Sequence, residues 1–570
     1  MRIDHVALLP TYVAAGTAVL VLVLDLLFPG RRPVVLAGAA VGAAATATLA
    51  FWLALSGDGA RFAFCGSACS FIVDVRAAAL MGVFALLTLG VVGLSAAVRA
   101  PVGEHCFLLA CSMTGGVVLA GAADLITLIV ALETLTLPLY VLVGLRRSLV
   151  SADAAVTFLV VSVVSTAVSL LGAGLLYAST GAVHFGQMRA AVVDPAVRPL
   201  AVVGCVLLLG GLAFKVAAVP LHAWAPSTYD GAPLPVAAYL STASKLGGVV
   251  ALAYVSVEAV PFERDFAVAA IVVLALLTMT VGNLVALRQR RMVRLLAWSS
   301  IAQAGYILAA LAVPDAGATA LTYAIFFVAL ELAAFAAVIA LRTPVARFVD
   351  ASVASGQPVA VGSAVRGLAG GGAGTAAGSV AAGSAAAGSA VGGSAAAGSA
   401  AAGSAVGGSA AAGSAVGGSV AGPPSMTVAG SVVGMPAVAG AAEDGGTLAD
   451  YAGAARGAPW RSAALVLALA GLAGLPPGIA GLFAKVAVVR ALVDSNATWL
   501  AVVVALNAVV GLAYYVRAGA GLFAPGEPGV VAARWPRPRW AIAVTTALIT
   551  VAALAIGFAP QIVFDAAAVR

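Results

Sequence analysis

The sequence predicts an all-α polytopic membrane protein, and three observations support that fold class. Of the 570 residues, 63% are hydrophobic and only 9% are charged, and the mean hydropathy is +1.11. Apolar stretches of about 20 residues, the length that a helix needs to cross the hydrocarbon core, recur along most of the chain. The short polar breaks between these stretches hold most of the arginines. Such a composition excludes a soluble globular domain.

The length criterion gives about 14 transmembrane helices. The predicted spans cover residues 7–28, 34–55, 77–97, 104–122, 124–145, 154–178, 199–222, 232–257, 265–286, 294–313, 317–341, 462–489, 496–517 and 540–559. The first apolar run follows the N-terminus without a small-residue cleavage site, so we interpret it as a span and not as a signal peptide. An even number of spans places both termini on the same side.

The arginine distribution predicts which side that is. The breaks after odd-numbered spans are the richer ones, with Arg31, Arg32, Arg99, Arg146, Arg147, Arg288, Arg290, Arg291, Arg294, Arg517, Arg534, Arg537 and Arg539. By the positive-inside rule these breaks face the cytoplasm, so both termini lie outside it. The net charge of +7 therefore indicates topology and not nucleic-acid binding. The loop that holds Cys65 and Cys69 then also faces outward, where a disulfide could form.

Residues 343–458 interrupt the pattern of spans. From Gly378 to about Gly422 a five-residue unit repeats as GSAAA or GSAVG. This period matches neither a helix face nor a strand face, and the composition is that of a flexible linker. We interpret the segment as a disordered cytoplasmic insert between the eleventh and twelfth spans.

The three lysines are the first candidate functional residues. Lys215, Lys245 and Lys485 are the only lysines in the chain, and each lies inside a long apolar stretch. A lysine at mid-bilayer depth costs roughly 2.5–3.5 kcal/mol on insertion scales. Lysine can exchange a proton when it is removed from water, whereas arginine stays protonated. A proton path is therefore the leading hypothesis.

Acidic residues inside the spans are the natural partners of these lysines. Glu133 lies mid-span in DLITLIVALETLTLPLYVL, ahead of Pro138. Next to a lysine it could ionise and hold that lysine charged; the alternative is an ion pair that only fixes helix register. Glu331 also lies mid-span, in FFVALELAAFAAV, and is a possible additional member of the path.

Two further residues are weaker candidates. Glu104 opens the fourth span, where the helix dipole alone would account for it. His222 follows Pro220 at the end of the seventh span and suggests a capping or gating role. The four histidines are scattered, so no metal site is expected. No iron–sulfur or haem spacing occurs in the sequence, so any redox chemistry belongs to partners.

An internal echo relates the two halves of the chain. Residues 211–217, GLAFKVA, resemble residues 481–487, GLFAKVA. Five spans separate the two segments, so they cross the membrane in opposite directions, as in an inverted repeat. Helix breakers lie beside both, Pro220 after the first and Pro476-Pro477-Gly478 before the second.

Long motifs around these residues resemble one known family. The segments are Asp124–Arg147 (DLITLIVALETLTLPLYVLVGLRR), Gly211–Pro235 (GLAFKVAAVPLHAWAPSTYDGAPLP) followed by AAYLSTASKLGG, Arg294–Tyr306 (RLLAWSSIAQAGY) and Leu475–Lys485 (LPPGIAGLFAK). They are similar to the antiporter-like proton-pumping membrane subunits of respiratory complex I. The subunit N branch fits best, because of Lys485 in the twelfth span, the number of spans and the lack of a long C-terminal lateral helix.

The resemblance implies a fold and a set of roles. The fold has two inverted five-helix repeats, spans 4–8 and 9–13, with broken helices at spans 7 and 12. The implied segments are 1–103 (spans 1–3), 104–257 (first unit), 258–342 (spans 9–11), 343–458 (insert), 459–517 (spans 12–13) and 518–570 (C-terminal loop and span 14). Glu133 and Lys215 would form the ion pair of the uptake half-channel, Lys245 the central relay and Lys485 the group on the exit side.

The resemblance also implies partners and a location. The chain would lie in the bacterial plasma membrane, in contact with lipid, with other membrane-arm subunits and with a neighbouring antiporter-like subunit. NADH, FMN, iron–sulfur clusters and quinone would belong to partner subunits, so this chain would hold no cofactor. No nucleic acid is expected as a partner.

The sequence departs from the family pattern at several positions. Thr157 stands where the family has a lysine in span six, Gln303 stands where histidine is common, and Glu331 is unusual. The loss at Thr157 leaves open a diverged, non-pumping structural paralogue. A subunit of a multi-component cation/proton antiporter or of a membrane hydrogenase is the other alternative, because these share the lysine-bearing core. A stand-alone solute transporter is disfavoured, since no polar substrate site is visible.

Overall fold

The structure is a computed structural model that describes residues 3–57, 59–98, 100–259, 264–313, 317–342, 445–525 and 538–568. The predicted all-α membrane fold is confirmed, since helices dominate the described residues. The repeat-bearing stretch of the predicted insert, Gly378 to Gly422, lies outside the described residues, as do Arg99, Arg534 and Arg537.

The N-terminal part of the chain forms helices that match the first eight predicted spans. They are α1 (Leu9–Leu27), α2 (Arg32–Leu55), α3 (Val75–Leu94), α4 (Val102–Ala120), α5 (Leu125–Gly144), α6 (Leu149–Thr180), the short α7 (Phe185–Ala190), α8 (Arg198–Lys215), α9 (Trp224–Gly231), α10 (Leu234–Tyr239) and α11 (Lys245–Tyr254). A 3₁₀ turn, Ser95–Ala97, follows α3.

A small hairpin connects α2 to α3. Strands β1 (Arg61–Cys65) and β2 (Cys69–Val73) pair antiparallel, with Arg61 opposite Val73. A disulfide joins Cys65 to Cys69 at the turn. Asp74 then caps α3, since its carboxylate accepts a hydrogen bond from the Ala77 backbone N–H at 2.7 Å.

The C-terminal part of the chain continues the helical pattern. Its helices are α12 (Arg264–Ala286), α13 (Met292–Leu311), α14 (Gly317–Arg342), the short α15 (Ala454–Gly457), α16 (Pro459–Ala473), α17 (Ile479–Asp494), α18 (Thr498–Gly521), α19 (Trp540–Phe558) and α20 (Pro560–Ala568).

Within the described ranges, 12 helical segments are long and apolar enough to cross a membrane. One of them, Leu234–Ala259, joins α10 and α11 through π-helical turns at Leu240–Ser244 and Val255–Ala259. The remaining two predicted spans correspond to α13 and to the divided helix α16–α17. Each predicted span therefore coincides with helix.

Two helices are interrupted inside the bundle, where the sequence predicts breaks. Helix α8 ends at Lys215, and the chain leaves the helix at 216–223 before α9 begins. Helices α16 and α17 are separated at residues 474–478, which include both Pro476 and Pro477. Proline removes a backbone donor and clashes with the preceding turn, which accounts for both interruptions.

The centre of the bundle is formed by the α10–α11 segment and by α14. The first is buried along its whole length and the second along nearly all of it, whereas α1, α6, α12 and α19 expose much of their apolar surface. Helix α14 packs against both α11 and α17. It therefore connects the helix that carries Lys245 to the helix that carries Lys485.

The predicted disorder of the insert does not extend to residue 458. The chain is structured from Gly445, because Thr447 pairs with Arg291 in a β-bridge and the Leu448 N–H donates to the Arg290 carbonyl at 2.7 Å. A 3₁₀ turn, Leu448–Tyr451, then buries the Tyr451 ring completely. Composition alone suggested a linker here, but a buried aromatic ring and main-chain pairing provide the ordering free energy.

Candidate functional site

The first buried charge pair joins α5 to the end of α8. The Lys215 ammonium lies 2.7 Å from Glu133 Oε1, and the exposed fractions of the two side chains are 5% and 19%. The ammonium also donates to Ser162 Oγ at 3.0 Å and to Thr136 Oγ1 at 3.3 Å. All three donors of the ammonium group thus have acceptors, as a buried charge requires.

Hydroxyl groups on α6 hold this pair in place. Thr166 Oγ1 donates to Glu133 Oε1 at 2.6 Å, and the Tyr140 hydroxyl donates to Ser162 Oγ at 2.6 Å. Ser162 therefore accepts hydrogen bonds from both Tyr140 and Lys215. These residues were not among the predicted site residues, although the spacing of Ser162, Ser165, Thr166 and Ser169 places four hydroxyls on one face of an apolar helix.

Small residues bring α6 close enough to α8 for these contacts. A Cβ atom on Gly172 would lie 2.4 Å from the Leu208 backbone nitrogen, so only glycine allows this approach of the two backbones. Ser165 Oγ donates to the Gly211 carbonyl at 2.7 Å across the same interface.

The chain after Lys215 leaves the helix in a defined way. Ala217 has a φ of +58°, in the left-handed region, and the Trp224 indole N–H donates to the Phe214 carbonyl at 3.1 Å. The Trp224 ring also stacks on Phe158 of α6 at 4.7 Å between ring centroids. The Phe214 carbonyl at the end of α8 thus has a side-chain donor, and Lys215 stays fixed at the end of the helix.

The second lysine lies at the centre of the bundle. Lys245 is the first residue of α11, directly after the π-helical turn, and its exposed fraction is 1%. Its ammonium donates to Ser300 Oγ of α13 at 2.8 Å. Π-helical turns frequently occur at functional sites, where they redirect a side chain.

The third lysine reaches across the break between α16 and α17. Lys485 Nζ donates to the carbonyls of Leu472 and Ala473, at 2.8 Å and 2.7 Å. These carbonyls end α16, so the ammonium caps the negative end of that helix dipole. The Tyr306 ring centroid lies 5.9 Å from the same ammonium.

Neutral polar side chains surround this third lysine. Gln303 Nε2 donates to the Leu472 carbonyl at 3.2 Å and to the Tyr515 hydroxyl at 3.1 Å, and the Tyr323 hydroxyl donates to Gln303 Oε1. A second group of contacts joins Asn283, Tyr306, Tyr514 and Asn507. The sequence analysis did not single out this group, although two asparagines inside apolar runs are a usable signal.

The other predicted site residues lie in different surroundings. Glu331 is fully buried in α14 and is described further below. Glu104 is exposed in the first turn of α4. His222 lies in the break after α8, with its ring 5.1 Å from that of Trp298.

A cluster that the sequence analysis missed lies at one end of the bundle. Asp230 of α9 accepts hydrogen bonds from Arg291 at 3.0 Å and from Arg294 at 2.9 Å, and its carbonyl accepts one from Arg146 at 3.1 Å. Three of the arginines that indicated topology therefore also fasten α9 to neighbouring helices.

The site combines titratable groups with hydroxyl and amide groups inside a membrane-type bundle. The two buried amines of Lys215 and Lys245, the half-buried amine of Lys485 and two carboxylates can exchange protons, and the hydroxyls can pass or orient them. Across the described ranges, no group of three or more His, Cys, Asp or Glu side chains could hold a metal ion.

Comparisons of fold and sequence define the class of protein. Residues 122–351, which include Glu133, Lys215, Lys245 and Glu331, match the family described as NADH:quinone oxidoreductase/Mrp antiporter, transmembrane. A chain of respiratory complex I from Thermus thermophilus superposes with a TM-score of 0.67 at 25% identity, covering 98% of this chain and 99% of that one. The chain is an antiporter-like membrane subunit.

More distant solved structures share the fold. A chain of the Mrp complex from Dietzia sp. superposes with a TM-score of 0.72 at 18% identity, covering 98% of this chain and 96% of that one. A chain of an archaeal membrane-bound sulfane sulfur reductase gives 0.74 at 18% identity, covering 99% and 96%.

Sequence relatives then give the particular family. NADH-quinone oxidoreductase subunit N of Salinispora tropica is 49% identical over 99% of each chain. Subunit N 2 of Streptomyces griseus is 36% identical over 92% of this chain and 84% of that protein. The chain belongs to the NADH-quinone oxidoreductase subunit N family.

Proposed function

We propose that this chain is a membrane-arm subunit of a proton-translocating NADH-quinone oxidoreductase, and that it moves protons through a buried glutamate–lysine relay. The observation that carries the proposal is the Glu133–Lys215 contact of 2.7 Å, which is followed by the buried Lys245 and the half-buried Lys485 in the same bundle. Burying ammonium groups is expensive. Proton transfer explains why the chain carries this cost, whereas packing alone does not.

Each member of the relay has a role that its surroundings support. Glu133 and Lys215 form the ion pair of the uptake half-channel, because hydroxyls and a carboxylate surround the ammonium. Lys245 is the central relay, since it lies on the most deeply buried segment. Lys485 is the group on the exit side, where main-chain carbonyls hold its charge. Glu104 and His222 are proposed as peripheral members of the path.

The driving reaction is proposed to take place in other subunits. NADH, FMN, iron–sulfur clusters and quinone would bind there, and this chain would hold none of them. Its contacts would be with the other membrane-arm subunits, including a neighbouring antiporter-like subunit, and with lipid. The exposed apolar faces of α1, α6 and α19 support such contacts.

The proposal includes an orientation in the bacterial plasma membrane. Both termini would lie outside the cytoplasm and the insert inside it, since the arginine-rich breaks follow odd-numbered spans. The segment boundaries would be those given above, and spans 4–8 and 9–13 would form the two inverted repeats.

Co-purification tests this assignment directly. A tagged copy of the chain should bring down flavin-containing and iron–sulfur subunits, and the membranes should take up protons when NADH is oxidised. The alternative is a subunit of a cation/proton antiporter or membrane hydrogenase, which the shared fold of the Mrp and sulfane sulfur reductase chains favours. Isolation with cation-transport subunits, and without NADH oxidation, would contradict the proposal.

A further inference from the structure

Glu331 is a buried carboxylate whose surroundings are incomplete. It lies in the middle of α14 with an exposed fraction of 0%. Neither of its carboxylate oxygens has a hydrogen-bond partner among the described residues. Burying an unpaired carboxylate costs several kcal/mol. A residue that served only to hold helices together would show a bond to one of them.

The position of α14 places this carboxylate between two lysine-bearing helices. Helix α14 packs against α11, which begins with Lys245, and against α17, which carries Lys485. The neighbouring Leu330 lies against the glycine-lined break, since a Cβ on Gly471 would meet Leu330 Cδ2 at 2.4 Å. The turn that holds Glu331 therefore borders the region where α16 ends.

Lys245 has more donors than the acceptors found for it among the described residues. Its ammonium group has three N–H donors, and Ser300 Oγ is the acceptor found for it in the described part of the chain. Glu331 and Lys245 interact electrostatically. A buried amine with spare donors thus lies near a buried carboxylate with no donor.

Polar contacts continue from Glu331 toward Lys485. The Tyr515 hydroxyl interacts electrostatically with the Glu331 carboxylate. That hydroxyl accepts a hydrogen bond from Gln303, and the same amide donates to the Leu472 carbonyl. The Leu472 carbonyl in turn accepts from Lys485 at 2.8 Å. A set of polar groups therefore connects the surroundings of the two lysines.

We propose that Glu331 carries the proton between Lys245 and Lys485. In the first step an N–H bond of the Lys245 ammonium breaks and an O–H bond forms on the Glu331 carboxylate, which leaves a neutral amine and a carboxylic acid. In the second step the acid releases that proton to the neutral amine of Lys485 and returns to a carboxylate. The inference rests on the proposed function, because it adds a carrier to the same relay.

The test compares Glu331→Gln with Glu331→Asp in the assembled complex. Glutamine keeps the shape of the side chain but carries no exchangeable acidic proton, whereas aspartate is shorter and retains one. NADH-driven proton uptake into inverted membrane vesicles is measured per NADH oxidised, with complex content measured alongside. Lys245→Ala serves as the reference for a broken relay, and Asp494→Asn as the control, since Asp494 is an exposed carboxylate paired with Arg490 on α17.

The expected result has a definite order. Glu331→Gln should lose as much translocation as Lys245→Ala, Glu331→Asp should retain more than Glu331→Gln with an altered pH profile, and Asp494→Asn should match the unmodified chain. If Glu331→Gln does not assemble, the pH profile of Glu331→Asp decides, and an unchanged profile overturns the inference. If Glu331 had only a structural role, Glu331→Gln would retain more translocation than Glu331→Asp, because glutamine fits the site better than aspartate.

The failures of the two proposals are distinguishable. Normal translocation by Glu331→Gln together with loss in Lys245→Ala would overturn the role of Glu331 and leave the relay intact. Normal translocation by both variants would overturn the relay itself, and the role of Glu331 with it.

Discussion

At the scale of single residues, the three lysines differ in what surrounds their ammonium groups. A carboxylate and two hydroxyls hold Lys215, one serine holds Lys245, and two main-chain carbonyls hold Lys485. A carboxylate in direct contact thus balances the charge at the first site, whereas the hydrogen bonds to the other two ammonium groups come from a hydroxyl and from helix-end carbonyls. A proton passing along the relay would meet a different environment at each step.

Ser162→Ala should weaken the first site, because this hydroxyl accepts from both Lys215 and Tyr140. Two buried donors would each lose a partner, at a cost of about 1–3 kcal/mol for an unsatisfied group. We expect lower thermal stability of the complex and slower proton uptake. Thr134→Val is the matched control, since the hydrogen bond found for the Thr134 hydroxyl in the described part of the chain goes back to the Val130 carbonyl on its own helix. Equal behaviour of the two variants would show that Ser162 does not support the ion pair.

Sequence reasoning identified the charged residues of the site more readily than their neutral partners. Charged groups are rare and costly inside apolar runs, so Glu133 and the lysines stand out without a structure. Serine and threonine hydroxyls in helices often bond to their own backbone, as Thr166 also does to the Ser162 carbonyl at 3.0 Å. Which hydroxyls also reach another helix depends on packing, and that cannot be derived from the sequence.

At the scale of helices, the two broken segments place their lysines differently. Lys215 ends the first half of its broken helix, whereas Lys485 lies beyond the break and reaches back to the end of α16. The sequence echo aligns the two lysines and predicts a break near each. The echo alone does not show this difference, but the positions of the prolines account for it, because they follow the first lysine and precede the second.

Gly481→Ala should prevent the correct packing of α17 on α16. A Cβ at this position would lie 1.8 Å from the Gly471 carbonyl oxygen, which is a backbone atom that cannot rotate away. We expect loss of the subunit from the membrane, measured by immunoblot, and loss of assembled complex. Gly519→Ala in α18 is the control, because nothing lies within 4 Å of its added methyl group. That change should be neutral or slightly stabilising, by about 0.5–1 kcal/mol. Normal assembly of Gly481→Ala would contradict the close contact.

At the scale of the whole molecule, the sequence predicted the spans but not their arrangement. The spans all have high mean hydropathy, so hydropathy does not distinguish the central α14 from a peripheral helix such as α6. The charged residues indicated the central helices better, because Lys245 lies on one of the two most buried segments and Glu331 lies on the other. The order of residues 445–458 was not predicted, because the glycine- and alanine-rich composition of the insert continues into this stretch, which packs through Tyr451.

Deleting residues 370–425 should leave assembly and proton translocation close to normal. The repeat has too little apolar side-chain volume to offset the entropy of ordering it. The matched contrast is Tyr451→Ala, which removes a fully buried ring beyond the repeat and should reduce complex content. Blue-native gels and proton uptake measure both variants. Loss of the complex on the deletion would contradict the interpretation of the repeat as a linker.

The central claim is that Lys215 releases a proton during translocation, and Lys215→Arg tests it most directly. Arginine keeps the positive charge beside Glu133 but does not release its proton, so the complex should assemble while NADH-driven proton uptake into inverted vesicles falls. Lys215→Ala should also assemble, since removing a buried charge lowers the insertion cost, and should show a similar loss. Normal proton uptake per NADH oxidised by Lys215→Arg would contradict the relay.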